Sequence, residues 1–386
     1  MQYILFDDPK IRQSLFPFTF TRPVAEIRCG ICTITEKWTQ VLGTKPYLST
    51  EPYLEPKYGG TPPKDQQRTF INGALCPNGG LLNAIAALGA EEALVRDDVT
   101  LAYREGYDFE SRKGATEWGG DLTLIGNLWD IFTENGDQIR ADFKRMTENK
   151  TSWPITDPHT GCYNKSQIFV EEGASIRSAT LNAENGPIYI GKNAVISEGS
   201  IIVGPFALGE GATINWGAKM RMNTTVGPYC KVGGEVGNSV FFGNSNKAHD
   251  GFLGNSVIGE WCNLGANTNN SNLKNDYTNV KIHSYATNQL EDSGKMFCGL
   301  FFGDFSKAGI STMFNTGTVV GVNVNVFGAG FQPKFVPSFS WGGAAEGFAD
   351  YRFEKAVQVV RETMSRRGKD FDQTEEDILR WLIENK

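Results

Sequence analysis

The middle of the chain carries an aliphatic residue at every sixth position. Starting at residue 190, eight successive steps follow this rule, at Ile190, Ile196, Ile202, Leu208, Ile214, Met220, Val226 and Val232. The residue after the aliphatic one is glycine in several steps, and the residue four places after it is nearly always small. Because this step is neither the 3.6-residue period of a helix nor the alternation of a strand, it predicts another kind of repeat.

A second run with the same step lies at Phe302, Ala308, Phe314, Val320 and Val326, and Phe252, Ile258 and Leu264 keep the step between the two runs. We interpret both runs as a solenoid of short parallel strands, in which each aliphatic side chain points inward and a glycine or small residue forms the corner. Three hexapeptides close a triangular coil, and coils stack about 4.8 Å apart. Since one coil cannot bury its own aliphatic side chains, the repeat predicts many stacked coils rather than a glycine-rich sandwich.

The flanking regions have different patterns. Before the repeat, short apolar strands are predicted at residues 3–6 and 99–103, and a helix is predicted to begin at residues 81–88. Strands that alternate with helices are typical of the α/β class. After the repeat, amphipathic helices are predicted within residues 345–368 and from Thr374 onward.

These patterns divide the chain into four parts. The predicted parts are an α/β domain at residues 1–150, a linker at 151–167, a solenoid at 168–343 and a C-terminal helical segment at 344–386. A chain of 386 residues is longer than one core of ordinary size needs, which agrees with more than one structural unit.

Composition and charge narrow the class of partner. Hydrophobic residues make up 40% of the chain and charged residues 21%, which is typical of a folded protein and excludes general disorder. The net charge of −7 lacks the basic excess of a nucleic-acid-binding protein. No apolar run reaches the roughly 18 residues that cross a bilayer. We therefore expect small-molecule partners, with no nucleic acid and no membrane.

The N-terminus and the cysteines indicate a cellular location. The chain turns acidic at Asp7 and Asp8, too early for a signal peptide. Seven cysteines form an odd number without metal-type spacing, and Cys29 and Cys32 form a lone CxxC pair. These features predict a cytoplasmic protein with reduced thiols.

Two ordered sets of residues carry a family resemblance. The first consists of Lys247-Ala248-His249, Leu253-Gly254 and Asn263-Leu264-Gly265-Ala266-Asn267-Thr268. The second consists of Arg12, Leu15, Pro17, Thr19, Thr21, Arg22 and Pro23. They resemble, respectively, the acetyltransferase half and the nucleotide-binding opening of the bifunctional GlmU family (UDP-N-acetylglucosamine pyrophosphorylase / glucosamine-1-phosphate N-acetyltransferase). Nearly the whole chain looks like a divergent GlmU-like branch.

The resemblance implies a fold, an assembly and a reaction. The implied fold is an α/β nucleotidyltransferase-like domain followed by a left-handed parallel β-helix and C-terminal helices. The implied assembly is a homotrimer with the acetyl-CoA site between neighbouring solenoids. The implied enzyme is a transferase of cell-envelope nucleotide-sugar biosynthesis. It would make an activated N-acetylated amino sugar, similar to UDP-N-acetylglucosamine, from acetyl-CoA, an amino-sugar 1-phosphate and a nucleoside triphosphate.

His249 is the predicted catalytic residue. It interrupts the six-residue register, in a stretch where Asn246 replaces an aliphatic residue. Breaks in a solenoid repeat map to loops, and loops on a rigid scaffold are where sites lie. Acetyl transfer to an amine needs a base, and a histidine suits that role at neutral pH.

The resemblance also implies the substrate contacts. Arg221 and Lys274 would bind the sugar phosphate, Asn263 and Asn272 the sugar, and the Ala266 backbone the pantetheine of acetyl-CoA. An arginine fits a phosphate geometrically and by charge. The chain departs from the family pattern at Phe252 and Leu273, where the pattern has tyrosines.

In the N-terminal domain the resemblance implies nucleotide contacts by Arg12, Arg22 and Lys37, and Mg²⁺ held by Asp7 or Asp8. The chain departs here as well. No glycine-rich loop follows the first strand, and the segment at residues 71–74 lacks the expected aspartate after Asn-Gly. An alternative is that the two arginines form structural salt bridges in a domain that no longer transfers nucleotides.

Two other functions fit parts of the sequence. In one, the enzyme is a sugar-1-phosphate nucleotidyltransferase whose solenoid serves only trimerisation and regulation. In the other, a solenoid enzyme binds zinc through three histidines, and the chain has three, at His159, His249 and His283. Acetyl-CoA affinity separates the first alternative from the main hypothesis, and metal analysis separates the second.

Overall fold

The computed structural model describes residues 2–60, 62 and 66–386, which divide into two compact units. Unit 1 comprises Met1–Leu15, Thr19–Ile27 and Cys32–Asn127, and unit 2 comprises Phe16–Phe18, Arg28–Ile31 and Leu128–Lys386. The sequence analysis placed a boundary at residue 150, whereas the compact units change over after Asn127. The four-part division of the chain stays a prediction.

Unit 1 contains short strands and helices in alternation. Its strands are β1 Gln2–Phe6, β2 Tyr47–Ser49, β3 Arg68–Asn72, β4 Leu75–Cys76, β5 Ala93–Arg96, β6 Val99–Arg104, β7 Ala115–Glu117 and β8 Thr123–Leu124. Its helices are α1 Pro9–Ser14, α2 Ile34–Leu42, α3 Glu55–Tyr58 and α4 Gly79–Ala87. Helix α2 begins with a capping box, because the Thr33 hydroxyl accepts from the Glu36 amide and the Glu36 carboxylate accepts from the Thr33 amide.

The main sheet of unit 1 has the strand order β2-β1-β3-β6-β5-β7. Strand β1 is parallel to both β2 and β3, whereas β6 is antiparallel to β3 and β5. The strands that follow β1 in the chain therefore lie on both sides of it, so β1 is where the strand order of the sheet reverses. In open sheets, ligands bind beyond the carboxyl ends of the strands at such a point, which here is where Asp7 follows β1.

Unit 2 is built around nine coils, counted over the part of the chain that the structure describes. Strand β9 Gly161–Tyr163 precedes them. The first three coils are β10 Ile168–Val170, β11 Ser175–Ile176, β12 Thr180–Asn182; β13 Ile188–Ile190, β14 Val195–Ile196, β15 Ile201–Val203; and β16 Phe206–Leu208, β17 Thr213–Ile214, β18 Lys219–Met220. The next three are β19 Thr224–Val226, β20 Lys231–Val232, β21 Glu235–Gly237; β22 Val240–Gly243, β23 Asn246–Lys247, β24 Phe252–Gly254; and β25 Val257–Glu260, β26 Asn263–Leu264, β27 Asn269–Asn270.

A hairpin of β28 Lys281–Ser284 and β29 Gln289–Asp292 interrupts the solenoid after the sixth coil. The last three coils are β30 Leu300–Phe302, β31 Lys307–Ala308, β32 Met313–Phe314; β33 Thr318–Val320, β34 Asn325–Val326, β35 Phe331–Gln332; and β36 Phe335–Val336, β37 Ser340–Gly343, which pairs with β38 Gly347–Asp350. We call the sheets formed by the first, second and third strands of the coils face A, face B and face C. Neighbouring coils pair in parallel on each face, except that face C is divided into two sheets between β24 and β27.

The interior of the solenoid confirms the six-residue repeat. All eight aliphatic residues from Ile190 to Val232 are at most 1% exposed, and the second run from Phe302 to Val326 is buried as well. Between the two runs the structure differs from the expectation at one position. Leu253 fills the interior at 1% exposure, and Phe252 lies on the outer side of β24. Some coils here are shorter than 18 residues, since Thr225 pairs with Val240, 15 residues later, so the step of six does not hold.

Helices cover parts of the solenoid. Helices α5 Asp130–Thr133 and α6 Asn135–Thr147 lie against face A, where the Asn135 side-chain Nδ2 donates to the Asn223 backbone carbonyl at 2.9 Å. After the coils come α7 Phe353–Ser365 and α8 Gln373–Glu384. Both were predicted, although the N-cap of α8 is Asp372 rather than Thr374.

The order of an α/β unit, a parallel β-helix with a hexapeptide repeat and C-terminal helices confirms the predicted fold class. Asparagine takes the left-handed conformation at several corners, among them Asn223, Asn238 and Asn255, because its short polar side chain tolerates positive φ. Among the helices in the described ranges, none combines the length and apolar character that crossing a membrane requires.

Candidate functional site

His249 lies exposed at a corner between faces B and C. It follows β23 and precedes β24 in the segment 248–251, which we call the His249 corner. On the next coil the equivalent corner carries Ala266, and the two corners touch, because the Asn267 amide donates to the Asp250 carbonyl at 2.9 Å. The structure therefore brings His249 and Ala266 to the same edge of the solenoid, as the acetyl-transfer hypothesis requires.

The backbone of the His249 corner is held by donors from three directions. The carbonyls of Ala248, His249 and Asp250 accept hydrogen bonds from the Asn215 side chain at 2.8 Å, the Lys247 ammonium at 2.9 Å and the Asn267 amide at 2.9 Å. These hydrogen bonds fix the backbone from which the His249 imidazole extends.

A cavity of about 370 Å³ lies at the edge between faces C and A. Of the predicted substrate residues, Arg221 and Asn272 line it. Phe252 and Leu273, the two positions where the family pattern has tyrosines, line the same cavity. Asn272 donates to the Asn255 carboxamide oxygen at 2.8 Å, so the polar lining is amide-rich. A cavity with a cation, amides and apolar walls is suited to a phosphorylated sugar.

The predicted phosphate contacts differ in their surroundings. Arg221 is exposed and pairs with Glu235 at 3.3 Å, a contact between solvated groups that a phosphate can replace. Lys274 is half-buried, follows the cavity residues in sequence and pairs with Asp276 at 3.3 Å. Both cations are therefore accessible, although only Arg221 lines the cavity.

Asn263 lies apart from the other predicted sugar contact. It is exposed on face B, between Asn246 and Lys307 on the neighbouring coils. Strand β24 separates the His249 corner from the edge that carries Arg221 and Asn272. The candidate base and the candidate acceptor cavity therefore lie on different edges of the solenoid, and we call these two places the half-sites.

In unit 1, Asp7 and Arg12 form a buried ion pair at 3.1 Å. The other Asp7 oxygen accepts from the Val24 amide at 2.8 Å, and the Thr50 hydroxyl donates to the oxygen shared with Arg12 at 2.6 Å. Arg12 also donates to the Tyr53 hydroxyl at 2.7 Å. Burial raises the pKa of the Asp7 carboxyl, against the lowering effects of Thr50, Arg12 and Val24.

This network does not fit a magnesium ion at Asp7 or Asp8. Both Asp7 oxygens already accept from protein donors, and Arg12 supplies the balancing charge. Asp8 caps α1 by accepting from the Lys10 and Ile11 amides. Over the described residues, no cluster of three or more histidine, cysteine, aspartate or glutamate side chains is arranged to hold a metal.

The other predicted nucleotide contacts are also buried. Arg22 is 4% exposed, and Lys37 lies fully buried in α2. Unit 1 does have a cavity, of about 580 Å³, on one face of the sheet, where Tyr47, Arg68 and Phe70 line it. The Arg68 Nε is buried and has no hydrogen-bond partner in the part of the chain that the structure describes. Sequence reasoning missed this cavity.

The three histidines lie on separate elements, which gives no support to the zinc alternative. His159 is exposed before the solenoid, and His249 is at its corner. His283 is buried in the β28–β29 hairpin, where its ring stacks on Phe335 with 3.6 Å between centroids. Burial lowers the pKa of His283.

Sequence reasoning also missed Asn255 and Phe297 in the solenoid cavity. A signal for Asn255 exists, because Gly-Asn-Ser-Val occurs at residues 237–240 and again at 254–257, so both asparagines occupy equivalent corners. Phe297 arrives from the insertion that contains the hairpin, and nothing in the repeat indicates where an insertion folds back.

Comparisons with known proteins find similar sequences and structures. Residues 3–151 match the family model described as sugar nucleotidyl transferase. The bifunctional protein GlmU of Methanocaldococcus jannaschii is 31% identical over 202 residues, covering 52% of this chain and 42% of that protein. The GlmU of Methanococcus aeolicus is 33% identical over 108 residues, covering 28% of this chain and 26% of that protein. A solved structure of an Arabidopsis UDP-N-acetylglucosamine acyltransferase covers 55% of this chain and 78% of its own, at 14% identity and a TM-score of 0.27.

The chain thus joins a segment that matches a sugar nucleotidyl transferase model to a hexapeptide solenoid, which supports a transferase. The chain is similar to the GlmU-like family, in agreement with the resemblance found in the sequence. The chain spans less than half the length of the curated relatives it matches.

Proposed function

We propose that unit 2 transfers an acetyl group from acetyl-CoA to the amine of an amino-sugar phosphate, with His249 as the general base. The observation that carries the proposal is an exposed histidine on a fixed corner of a rigid solenoid, in register with Ala266 on the next coil. In the proposed step the amine nitrogen attacks the thioester carbonyl and forms the amide bond. His249 accepts the proton from nitrogen, the C–S bond breaks, and CoA leaves as the thiolate.

Acetyl-CoA affinity tests the proposal directly. Acetyl-CoA should raise the melting temperature of the protein by mass action, and addition of an amino-sugar phosphate should release free CoA thiol. If acetyl-CoA does not bind, the alternative of a solenoid that serves only assembly and regulation is favoured.

Assembly into a homotrimer is part of the proposal, because it would join the two half-sites. Large apolar side chains are exposed at the His249 edge, with Trp216 at 74% and Ile310 at 77% exposure. Face C adds Met313 and Phe331. Such patches support burial against a second copy, which would set the His249 corner of one subunit beside the Arg221 cavity of another. Trp261 is buried and takes no part in this patch.

We expect light scattering to give three times 42.5 kDa for the wild type. Trp216→Glu should reduce the mass to that of a monomer and abolish acetyl transfer, since a charge in an apolar interface is unfavourable and the half-sites would separate. Phe109→Glu, at an exposed position in unit 1, is the matched control and should keep the trimer. A monomeric wild type at micromolar concentration would remove both the trimer and the shared site.

Nucleotidyl transfer is a second candidate function, favoured by the family match over residues 3–151. With this activity the whole enzyme would make a nucleoside-diphosphate N-acetylated amino sugar similar to UDP-N-acetylglucosamine. The candidate place is the 580 Å³ cavity, whose volume suits a nucleotide. The Arg68 Nε, which has no hydrogen-bond partner among the described residues, is a donor for phosphate, and the Tyr47 and Phe70 rings are apolar surfaces for a base.

The wild type should then release pyrophosphate from a nucleoside triphosphate and an amino-sugar 1-phosphate. Arg68→Gln should lower kcat/KM for the nucleotide about 10- to 150-fold, because one charged hydrogen bond contributes roughly 1.5–3 kcal/mol. Glu105→Gln is the control, since Glu105 pairs with Arg68 at 3.3 Å but does not line the cavity. If Arg22→Ala lowers the rate without changing the melting temperature while Arg68→Gln does not, the site lies at the sequence-predicted arginines instead.

A cytoplasmic location belongs to the same proposal. It is supported by the odd number of cysteines and by the acyl-CoA and nucleotide substrates that the proposed reaction uses.

A further inference from the structure

Lys247 occupies an interior position of the solenoid. On face B, Val232 pairs with Lys247 in adjacent coils, and Leu264 follows in the next coil. This interior column is otherwise apolar, from Ile176 through Ile214 to Val326. Lys247 is 1% exposed, so a lysine stands where the repeat places an aliphatic side chain.

The Lys247 ammonium is aimed at the corner that carries the candidate base. Its Nζ donates to the His249 carbonyl at 2.9 Å and to the Gly233 carbonyl, one coil earlier, at 3.3 Å. The hydrogen bond to His249 links the solenoid interior to the backbone of the exposed residue. The Gly233 amide in turn donates to the Lys247 carbonyl at 2.7 Å, so the corner is tied to the preceding coil by side chain and backbone.

Stability alone does not account for this lysine. Burial lowers the pKa of Lys247 to about 8, which shows that the charged form is costly there, and Asp250 offsets only part of that cost. A buried charge can often be replaced by an apolar side chain of similar size with no loss of stability. What the apolar side chain cannot supply is a donor to the His249 carbonyl.

We propose that Lys247 is a positioning residue that holds the His249 corner in the conformation that presents the imidazole to the substrates. This inference rests on the acetyl transfer proposed above. Lys247 touches neither substrate nor reacting atom. It acts through the backbone of His249, and a displacement of the base by about 1 Å is enough to cost ~10²-fold in rate.

Lys247→Met tests the proposal, because methionine has a similar length and fits an apolar column. Leu264→Met, in the same column one coil further, is the matched control with nearly conserved volume. We expect both variants to fold and assemble as the wild type does. In Lys247→Met the amides of residues 248–251 should exchange hydrogen faster, measured by mass spectrometry, and kcat should fall about 10²-fold with KM for acetyl-CoA unchanged. Leu264→Met should change neither.

The pH profile of the wild type tests the same hydrogen bond without a substitution. Above about pH 8 the ammonium becomes a neutral amine, which is a weaker donor to the His249 carbonyl, so the rate should decline on the alkaline side, and Lys247→Met should lack that decline. Asp250, in the same corner, is the charged group that acts on the Lys247 ammonium, and it raises the pKa against the effect of burial.

Unchanged exchange at the corner together with an unchanged kcat in Lys247→Met would overturn the proposal. Failure of the proposed function looks different, because the wild type would then acetylate no acceptor. In that case the exchange comparison between Lys247→Met and Leu264→Met still decides whether Lys247 fixes the corner.

Discussion

Replacing His249 by alanine should slow acetyl transfer by ~10²–10⁴, the usual contribution of a general base. The fold should not change, because the side chain is exposed and the corner is held through backbone carbonyls rather than through the imidazole. Acetyl-CoA should bind with nearly the wild-type affinity. The loss should appear in kcat and in kcat/KM alike, since the removed interaction acts on the transition state.

The measurement is release of CoA thiol from acetyl-CoA by the wild type and by His249→Ala under the same conditions. His159→Ala is the matched control, an exposed histidine outside the coils, and should behave as the wild type. A His249→Ala variant that acetylates every amino-sugar phosphate at the wild-type rate would remove the mechanism and favour a purely structural solenoid.

Asn263→Ala separates binding from chemistry at the same solenoid. If Asn263 holds the sugar, the variant should raise the acceptor KM more than it lowers kcat. Asn263 lies on face B, away from the Arg221 cavity, so the acceptor KM of this variant also shows which of the two places binds the sugar. An unchanged KM would assign the sugar to the cavity residues Asn255 and Asn272 alone.

The solenoid was predictable because its stability depends on a column of inward side chains. Each coil leaves its aliphatic side chains exposed until the next coil stacks on it. The aliphatic positions that repeat in the sequence are therefore the positions that fill the interior. Ile196 and Ile214 show this, since they pair in adjacent coils of face B and are fully buried. The prediction was wrong at Phe252 because the number of residues per coil changes there. That number depends on the geometry of the corners.

The candidate site was predictable only in part. Arg221 and Asn272 could be placed in one cavity because the family pattern places them, whereas Phe297 comes from an insertion that has no repeat. Lys247 stands in the motif beside His249, but a sequence does not show that its side chain points inward. That direction follows from the pairing of β20 with β23.

In unit 1 the sequence places a cation and a carboxylate near the carboxyl end of the first strand, but it does not show which groups they contact. Arg12 and Asp7 sit five residues apart, around the carboxyl end of β1, where a nucleotide-binding sheet has its ligand. A charged side chain at that end is equally compatible with phosphate contact and with a buried pair. The choice depends on segments distant in sequence, such as Thr50 and Val24, that fold over Asp7.

Arg12→Ala should destabilise unit 1 by about 3–5 kcal/mol, the usual result of removing one partner from a buried ion pair. The two side chains are 5% and 7% exposed. Without Arg12 the Asp7 carboxylate keeps only its bonds to Thr50 and Val24, and Tyr53 loses its donor at 2.7 Å. Unfolding in urea, followed by hydrogen exchange of peptides from β1 and β3, reports on unit 1 separately from unit 2.

The pH dependence of this loss has a definite sign. Burial already raises the pKa of Asp7 in the folded state, and removal of Arg12 raises it further. A carboxyl whose folded pKa lies above its unfolded value favours folding at low pH and loses that contribution as pH rises through the folded pKa. The deficit of Arg12→Ala should therefore be largest at neutral pH and should shrink in acid, where protonated Asp7 needs no counterion.

Two further variants decide what Arg12 does. Replacing the pair together, with Arg12→Met and Asp7→Leu, should recover most of the lost stability, because no uncompensated charge remains. Glu105→Gln, at a partly exposed pair in the same unit, should change stability by less than about 1 kcal/mol. If Arg12→Ala leaves stability unchanged but abolishes nucleoside triphosphate binding, Arg12 contacts phosphate as the family resemblance implies. In that event the buried pair with Asp7 is a ligand-free arrangement that opens when a nucleotide arrives.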